Sequence, residues 1–163
     1  MKNLILILTI SILTSCGQGI NVEKGIDSEL LSYVEYAEDM LDVRVEYAVR
    51  FAKEGELDSE KTAGVCKSTK GVSTKVLINK TFWEESNEAR RELLVLHEIG
   101  HCSLDLDHTH EAGDDYVTLN FDDVGGCPES IMTPFISNNY QAEKCFEDNK
   151  DFYLDEILER AGE

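Results

Sequence analysis

The sequence predicts an α+β domain with a short β-sheet. Apolar residues recur at helical spacing early in the chain and again near its C-terminus. Between these two regions lie a β-rich stretch, a further helical run and a loop rich in Asp and Gly. The resulting order of helix, strands, helix, loop and helix is typical of an α+β domain.

The N-terminus predicts an export signal. A positive start precedes an apolar run that is too short for a bilayer span of about 20 residues. The ending Leu-Thr-Ser-Cys resembles the bacterial lipobox, which is cut before the cysteine whose thiol then receives a diacylglyceryl group. We expect a lipoprotein signal peptide over residues 1–15, a lipidated Cys16 with a loose tether over 16–29, and the folded domain over 30–163. The simpler alternative is an ordinary signal peptide with an incidental Cys16.

The formal net charge of the chain is −18. This charge argues against nucleic acid as a partner, because a phosphate backbone would be repelled. It also disfavours docking on anionic lipid heads, so the acyl anchor would have to hold the protein at a membrane. We expect a monomeric, exported bacterial lipoprotein of the cell envelope, at the outer membrane or the cell surface.

Besides Cys16, the chain has four cysteines, and an even number in an exported protein predicts two disulfides. Three pairings are open. We favour Cys127 with Cys145, which closes a short loop, and Cys66 with Cys102, which would tie the strands to the later helix. A cysteine-rich zinc site is disfavoured because no Cys-x-x-Cys pair is present.

The first predicted helix spans residues 27–53, with Asp27 or Ser28 as its N-cap. The β-branched residues at 43–45 mark a break between two helical halves. The apolar set after this break continues the helical spacing, which favours a second helical piece.

The later elements follow from composition and punctuation. Strand character covers residues 63–80 and is clearest at 72–79. Ser86 is the expected N-cap of the next helix. Residues 111–130 are expected to be irregular loop, and 139–160 to form one or two closing helices.

The helix after Ser86 contains the sequence His-Glu-Ile-Gly-His at residues 97–101. Because residues i and i+4 share a helix face, His97 and His101 can bind one zinc ion at about 2.0–2.1 Å each. Glu98 would project beside the metal and take a proton from water. The bare pattern also occurs by chance, as an exposed helix with two His and a Glu. All four histidines of the chain nevertheless lie between residues 97 and 110, which favours a metal site.

This motif and the later Met132, in the tight segment 130–134, resemble the metzincin metallopeptidases. The family motif is His-Glu-x-x-His-x-x-Gly-x-x-His or Asp, followed by a Met-turn, and the resemblance covers roughly residues 86–135. It implies a small zincin-like domain with a short β-sheet, an active-site helix and a C-terminal helix. It also implies that Met132 packs under the metal ligands and that the strand at 72–79 aligns substrate. Leu104 stands where the family has Gly, and a positive φ there would be sterically costly.

Three residues compete to be the third metal ligand. We favour His108, because imidazole is the stronger zinc ligand. The run His-Glu-Ile-Gly-His-Cys-x-Leu-x-x-x-His is also similar to zincin-like bacterial lipoproteins that share the later His. Asp107 keeps the family spacing and is the alternative, and His110 is the third candidate. A Glu ligand from a later helix is disfavoured, because Glu111 and Glu129 lie in no convincing helix.

The resemblance implies a zinc endopeptidase acting on a peptide or protein, with Glu98 as general base. The alternative is a non-catalytic zinc-containing binding or structural lipoprotein, which would have no need of a base at that position. Tyr140 could help stabilise an oxyanion, but a packing role is simpler. An acidic cluster suits calcium by ligand type but matches no EF-hand loop, so a solvated loop is favoured; its members are Asp114, Asp115, Asp122 and Asp123.

Overall fold

The computed structural model describes residues 25–69, 73–109, 118–121, 124–134 and 140–162. These residues form an α+β fold, as the sequence predicted. No helix among them has the length and apolar character that a membrane crossing requires. The predicted signal peptide and Cys16 lie outside the described residues.

In chain order the described elements are α1 (Leu31–Leu41), β1 (Ala48–Phe51), β2 (Gly64–Thr69), β3 (Ser73–Ile78), α2 (Lys80–Glu85), α3 (Glu88–Ser103), β4 (Thr118–Phe121), β5 (Val124–Pro128), α4 (Tyr140–Asp148) and α5 (Lys150–Ala161). The strand character predicted over residues 63–80 is confirmed by β2 and β3. The closing helical region is also confirmed, and it consists of two helices.

The main sheet has three strands in the order β1-β3-β2. β3 is central: it pairs with β1 in parallel and with β2 antiparallel. Residues 25–27 cover the outer side of β1, because Ile26 bridges to Val49. Within the described residues β2 is therefore the edge strand that lacks a second strand partner.

Helix α3 is the core element on which the site is built. Every residue from Leu93 to Gly100 is buried. The helix packs against α1 on one side, against β2 and β3 on another, and against α4. A helix buried on nearly all sides has little freedom to move, so side chains that project from it are held in fixed positions.

The prediction of helix in the second half of residues 27–53 is wrong. α1 ends where Asp42 takes a left-handed conformation with φ of 50°. The chain then becomes extended, and Val49 pairs with Val76 of the central strand. Apolar spacing over so short a segment suits either element, and the β-branched side chains together with pairing to β3 decide for a strand.

The predicted N-caps of the first helix are also wrong. The N-cap residue of α1 is Leu30, which makes no side-chain cap bond. The carboxylate of Asp27 accepts instead from the backbone amide of Phe51 at 2.9 Å. Asp27, and not Ser28, therefore ties the start of the domain to β1.

The motif helix begins one residue later than predicted. Asn87 caps α3, and its side-chain oxygen accepts from the amide of Arg90 at 3.0 Å. Ser86 ends the short helix α2 instead and donates to the carbonyl of Phe82 at 2.6 Å. Both residue types suit a helix start, and the intervening α2 moves the boundary.

The prediction of irregular loop over residues 111–130 is wrong in part. β4 and β5 form an antiparallel hairpin in which Leu119 faces Cys127. Leu119 and Phe121 are half-buried against the core, and the Phe121 ring contacts the ring of Phe152 edge-on. Four residues of alternating exposure give too short a pattern to stand out among Asp and Gly.

Both favoured disulfide pairings are confirmed. Cys66–Cys102 joins β2 to α3, and Cys127–Cys145 joins β5 to α4. Two disulfides are typical of extracytoplasmic proteins, because thiols stay reduced in the cytoplasm. The helix that carries the site is thus covalently tied to the edge strand beside it.

Removing the Cys66–Cys102 bond by a double substitution to Ser is expected to cost about 2–5 kcal/mol of unfolding free energy. The matched control is the same double substitution at Cys127–Cys145. That bond spans 18 residues instead of 36, and a halved loop should reduce the entropic part of the cost by about 0.6 kcal/mol. Urea denaturation with a chelator present measures both costs. Equal stability of wild type and both variants would contradict the expectation.

Candidate metal centre

The first two predicted ligands lie together on α3. His97 and His101 are one helical turn apart, and their Nε2 atoms are 3.1 Å from each other. The ring of His97 is buried, while that of His101 is half-buried. The helix therefore presents two imidazole nitrogens to one point at the surface.

The third imidazole comes from the chain just after α3. Nε2 of His108 lies 3.2 Å from that of His97 and 3.1 Å from that of His101. These three rings are the one group of metal-ligating side chains that converges within the described residues. The structure thus brings together the three histidines that the sequence favoured as ligands.

The other ligand candidates do not join this group. The Asp107 side chain is exposed and is not part of the cluster, and its carbonyl accepts from Arg160. Glu129 is described and is not part of it either. His110 and Glu111 lie outside the described residues, as does the acidic cluster for which a solvated loop was favoured over a calcium site.

Backbone carbonyls fix the orientation of two of the rings. Nδ1 of His97 lies 2.6 Å from the carbonyl of Ile131, and Nδ1 of His101 lies 2.5 Å from that of Leu106. A carbonyl oxygen can only accept, so each Nδ1 carries the proton and donates. The Nε2 atoms therefore present unprotonated lone pairs, which is the form that binds a metal.

This arrangement fits a bound cation. Three nitrogens at about 2.0–2.1 Å from one tetrahedral ion would be about 3.3–3.4 Å apart, close to the observed 3.1–3.2 Å. Two lone pairs that face each other with no proton between them repel. A positive ion at the centre of the three rings converts this repulsion into attraction.

Burial keeps the innermost imidazole, that of His97, neutral. Loss of solvation, and secondly the neighbouring His101 ring, lowers the pKa of His97 to about 3. The ring therefore remains unprotonated over the physiological pH range, and protons do not compete with a metal there.

The turn after α3 explains how the chain reaches His108 without a glycine. Leu104 keeps a negative φ of −106° and ends the helix. Asp105 takes the left-handed conformation instead, with φ of 55°. Asp tolerates this conformation better than most residues. The chain therefore changes direction one residue after Leu104, which is the position of Gly in the metzincin motif.

Met132 lies against the inner side of the ligand helix. Its side chain is fully buried, and a Cβ built on Gly100 would come within 2.9 Å of its sulfur. The preceding residue, Ile131, supplies the carbonyl that holds His97. The absence of a side chain at Gly100 thus leaves room for Met132 to pack against α3. The only signal in the sequence for this role of Gly100 is a Gly inside a helix.

Glu98 lies on the side of α3 that faces the edge strand. Its carboxylate is buried and accepts from the backbone amide of Cys66. A Cβ built on Gly64 would come within 2.8 Å of Oε1 of Glu98, so a larger residue there would displace the carboxylate. Burial raises the pKa of Glu98 to about 8, and the Cys66 amide opposes this rise.

The strand predicted over residues 72–79 is not an edge strand, which the predicted alignment of substrate would require. That segment forms β3, which is the central strand and is paired on both sides. The edge strand that lacks a second strand partner is β2, which lies next to Glu98 through Gly64 and Cys66. The antiparallel hairpin of β2 and β3 places the earlier strand outside, which residue pattern alone does not determine.

The raised pKa of Glu98 has a consequence for stability. Its pKa is about 8 in the folded protein against an ordinary 4.5, so the folded state holds the proton more tightly than the unfolded chain. The stability contributed is complete below pH 4.5 and is lost as the pH rises to about 8. In chelated protein we expect Glu98→Gln to abolish this loss and to exceed wild type by about 2–4 kcal/mol at pH 8.

Urea denaturation of both proteins at pH 5 and pH 8, with chelator present, checks this expectation. Wild type should lose stability between the two values more steeply than Glu98→Gln. Parallel behaviour of the two proteins would show that the Glu98 carboxyl titrates normally.

Tyr140 is the first residue of α4, and its side chain lies outside the described part.

No protein-family model matches the chain, and neither a curated protein nor a solved structure matches it. The geometry of the three imidazoles and of Glu98 therefore carries the functional conclusion.

Proposed function

We propose that this protein is a lipid-anchored zinc metallopeptidase of metzincin-like type. The observation that carries the proposal is the meeting of three imidazole Nε2 atoms at one point, two of them from the helix that also carries the buried carboxylate of Glu98. Two of these imidazoles and the carboxylate come from one turn of α3. This is the arrangement that the motif His-Glu-x-x-His requires.

Zinc suits this donor set. Three imidazoles are typical of catalytic zinc sites, whereas structural sites are closed by four protein ligands. The described cluster has three members. His97, His101 and His108 would hold the zinc, which would supply a lowered pKa for a bound water, toward roughly 7, and polarisation of a carbonyl group.

Glu98 is the proposed general base. It accepts a proton from the attacking water and returns it to the leaving nitrogen of the cleaved peptide bond. Burial raises the pKa of Glu98 and so strengthens its hold on a proton, while a bound zinc ion nearby would favour the charged carboxylate that a base requires. The amide of Cys66 holds the carboxylate in place against β2.

Strand β2 is the proposed substrate platform. An extended peptide can add to an exposed sheet edge through main-chain hydrogen bonds. Within the described residues no second strand pairs with β2, and Glu98 lies against its outer edge, where it accepts from the Cys66 amide. A peptide bound there would place its backbone beside the proposed base.

The two disulfides support the exported half of the proposal, because they require an oxidising compartment. We propose that Cys16 carries the lipid anchor and that the domain acts as a monomer on peptides or proteins outside the cytoplasm. The net charge of −18 makes nucleic acid an unfavourable partner.

One observation favours the alternative, a zinc-containing lipoprotein without activity. The hydrogen bond from the Cys66 amide gives Glu98 a structural contact, which would hold the carboxylate even if it took no part in catalysis. The two functions differ in whether the protein cleaves peptides.

The experiment uses full-length protein purified in mild detergent. Zinc content is measured first, and cleavage of a peptide library is then followed with and without chelator. We expect about one zinc per chain and cleavage that stops on chelation and returns with added zinc. Bound zinc without cleavage of any peptide would support the alternative, and cleavage that persists in chelator would refute the zinc mechanism.

A further inference from the structure

We propose that Arg160 of α5 is a positioning residue, which holds the loop that carries His108 so that this imidazole can bind the metal. The inference rests on the proposed function only in taking His108 as a metal ligand, and it does not require peptidase activity. Arg160 is far from His108 in sequence and belongs to no motif of the site.

The loop that carries His108 has little regular structure of its own. After α3 ends, residues 105–108 belong to no helix or strand. Leu106 is held from the helix side: its amide donates to the carbonyl of Gly100 at 3.4 Å, and its carbonyl accepts from His101. The residue next to His108, Asp107, is held from a different part of the molecule.

The guanidinium of Arg160 makes this contact with Asp107. Its Nη2 atom donates to the carbonyl of Asp107 at 2.9 Å. Its Nη1 atom lies 3.4 Å from the hydroxyl of Ser130. One planar group thus contacts the ligand loop with one nitrogen and the segment containing Met132 with the other, which suits the fixed fork of Arg.

The Ser130 hydroxyl links this contact to Met132. It donates to the carboxylate of Glu156 at 2.7 Å and accepts from the amide of Met132 at 2.9 Å. Glu156 also lies 3.5 Å from Arg160, one turn away on α5. The carboxylate therefore orients both the hydroxyl and the guanidinium.

The other side of His108 meets the same segment. The amide of Thr109 donates to the carbonyl of Met132 at 3.1 Å. The residues before and after His108 are therefore both held, one by Arg160 and the other by Met132. Without Arg160, only the hydrogen bond between Thr109 and Met132 would remain of these two. The His108 ring would then be positioned less precisely for binding a metal.

The test is a double-mutant cycle on zinc affinity in full-length protein, measured by competition with a chromophoric chelator. We expect Arg160→Gln to weaken zinc binding about 10-fold, as is typical when the partner of a ligand is lost. In a His108→Ala background the same change should have little further effect, because Arg160 acts through His108.

The matched control is Lys150→Gln. Lys150 starts the same helix and forms an ion pair with Glu92 at 2.6 Å. This change removes a cation that ties α5 to α3, but it leaves the Asp107 and Ser130 contacts intact. Lower stability with unchanged zinc affinity is expected, which separates general loosening of α5 from the specific hold on the loop.

Unchanged zinc affinity in Arg160→Gln would overturn the inference, as would an equal loss in the wild-type and His108→Ala backgrounds. If circular dichroism shows that Arg160→Gln does not fold, Arg160→Lys is measured in the same cycle. Its single ammonium cannot make both contacts, so a smaller, His108-dependent loss is expected, and no loss would contradict the proposal. Coupling between Arg160 and His108 in a protein that cleaves no peptide would refute only the peptidase function.

Discussion

Glu98→Gln is expected to lower kcat for peptide hydrolysis by about 10²–10⁴-fold, which is the contribution of a positioned general base. Gln is nearly the same size and can still accept from the Cys66 amide, but it cannot take up a proton. The three histidines are unchanged, so the variant should bind zinc as wild type does. Steady-state cleavage kinetics together with metal analysis measure both properties.

Glu88→Gln is the matched control. Glu88 lies in the first turn of the same helix and is exposed, so losing its charge should leave kcat near the wild-type value. Full activity of Glu98→Gln with zinc bound would contradict the proposed role. A variant that had also lost its zinc would instead place Glu98 among the groups that hold the metal.

His108→Ala is expected to weaken zinc binding by more than about 100-fold, since loss of an outer partner alone costs about 10–100-fold. Asp107→Ala should have little effect, because its exposed side chain is not part of the cluster and the contact with Arg160 uses its carbonyl. The adjacent positions give a direct comparison of the two candidate third ligands.

Chelator competition measures both affinities under the same conditions. The reverse order, with a large loss for Asp107→Ala and a small one for His108→Ala, would assign the third position to the carboxylate. Equal small losses would show that neither side chain holds the metal.

The sequence predicted the parts of the molecule whose pattern is local. Helical spacing predicted α3, and the i, i+4 relation predicted that His97 and His101 converge. The choice between His108 and Asp107 rested on ligand strength, and the structure places His108 with the other two. The disulfide preference for Cys66–Cys102 also agreed with the structure, because that pair lies between neighbouring elements.

The errors fall where tertiary pairing decides. Local residue spacing predicts helix at β1, whereas parallel pairing with the more distant β3 makes this segment a strand. The edge strand was misplaced because strand order is a property of the assembled sheet. The same reason applies at the site. Gly64, Gly100 and Arg160 act through contacts with distant segments, and no sequence spacing connects these contacts to the motif.

The most direct test of the account is zinc K-edge X-ray absorption on the full-length protein. The account predicts one zinc surrounded by three imidazole nitrogens and one further light atom at about 2.0–2.1 Å. Sulfur at about 2.3 Å would contradict it, because that distance indicates a cysteine ligand. A spectrum without an imidazole signature would show that the three rings do not hold the metal.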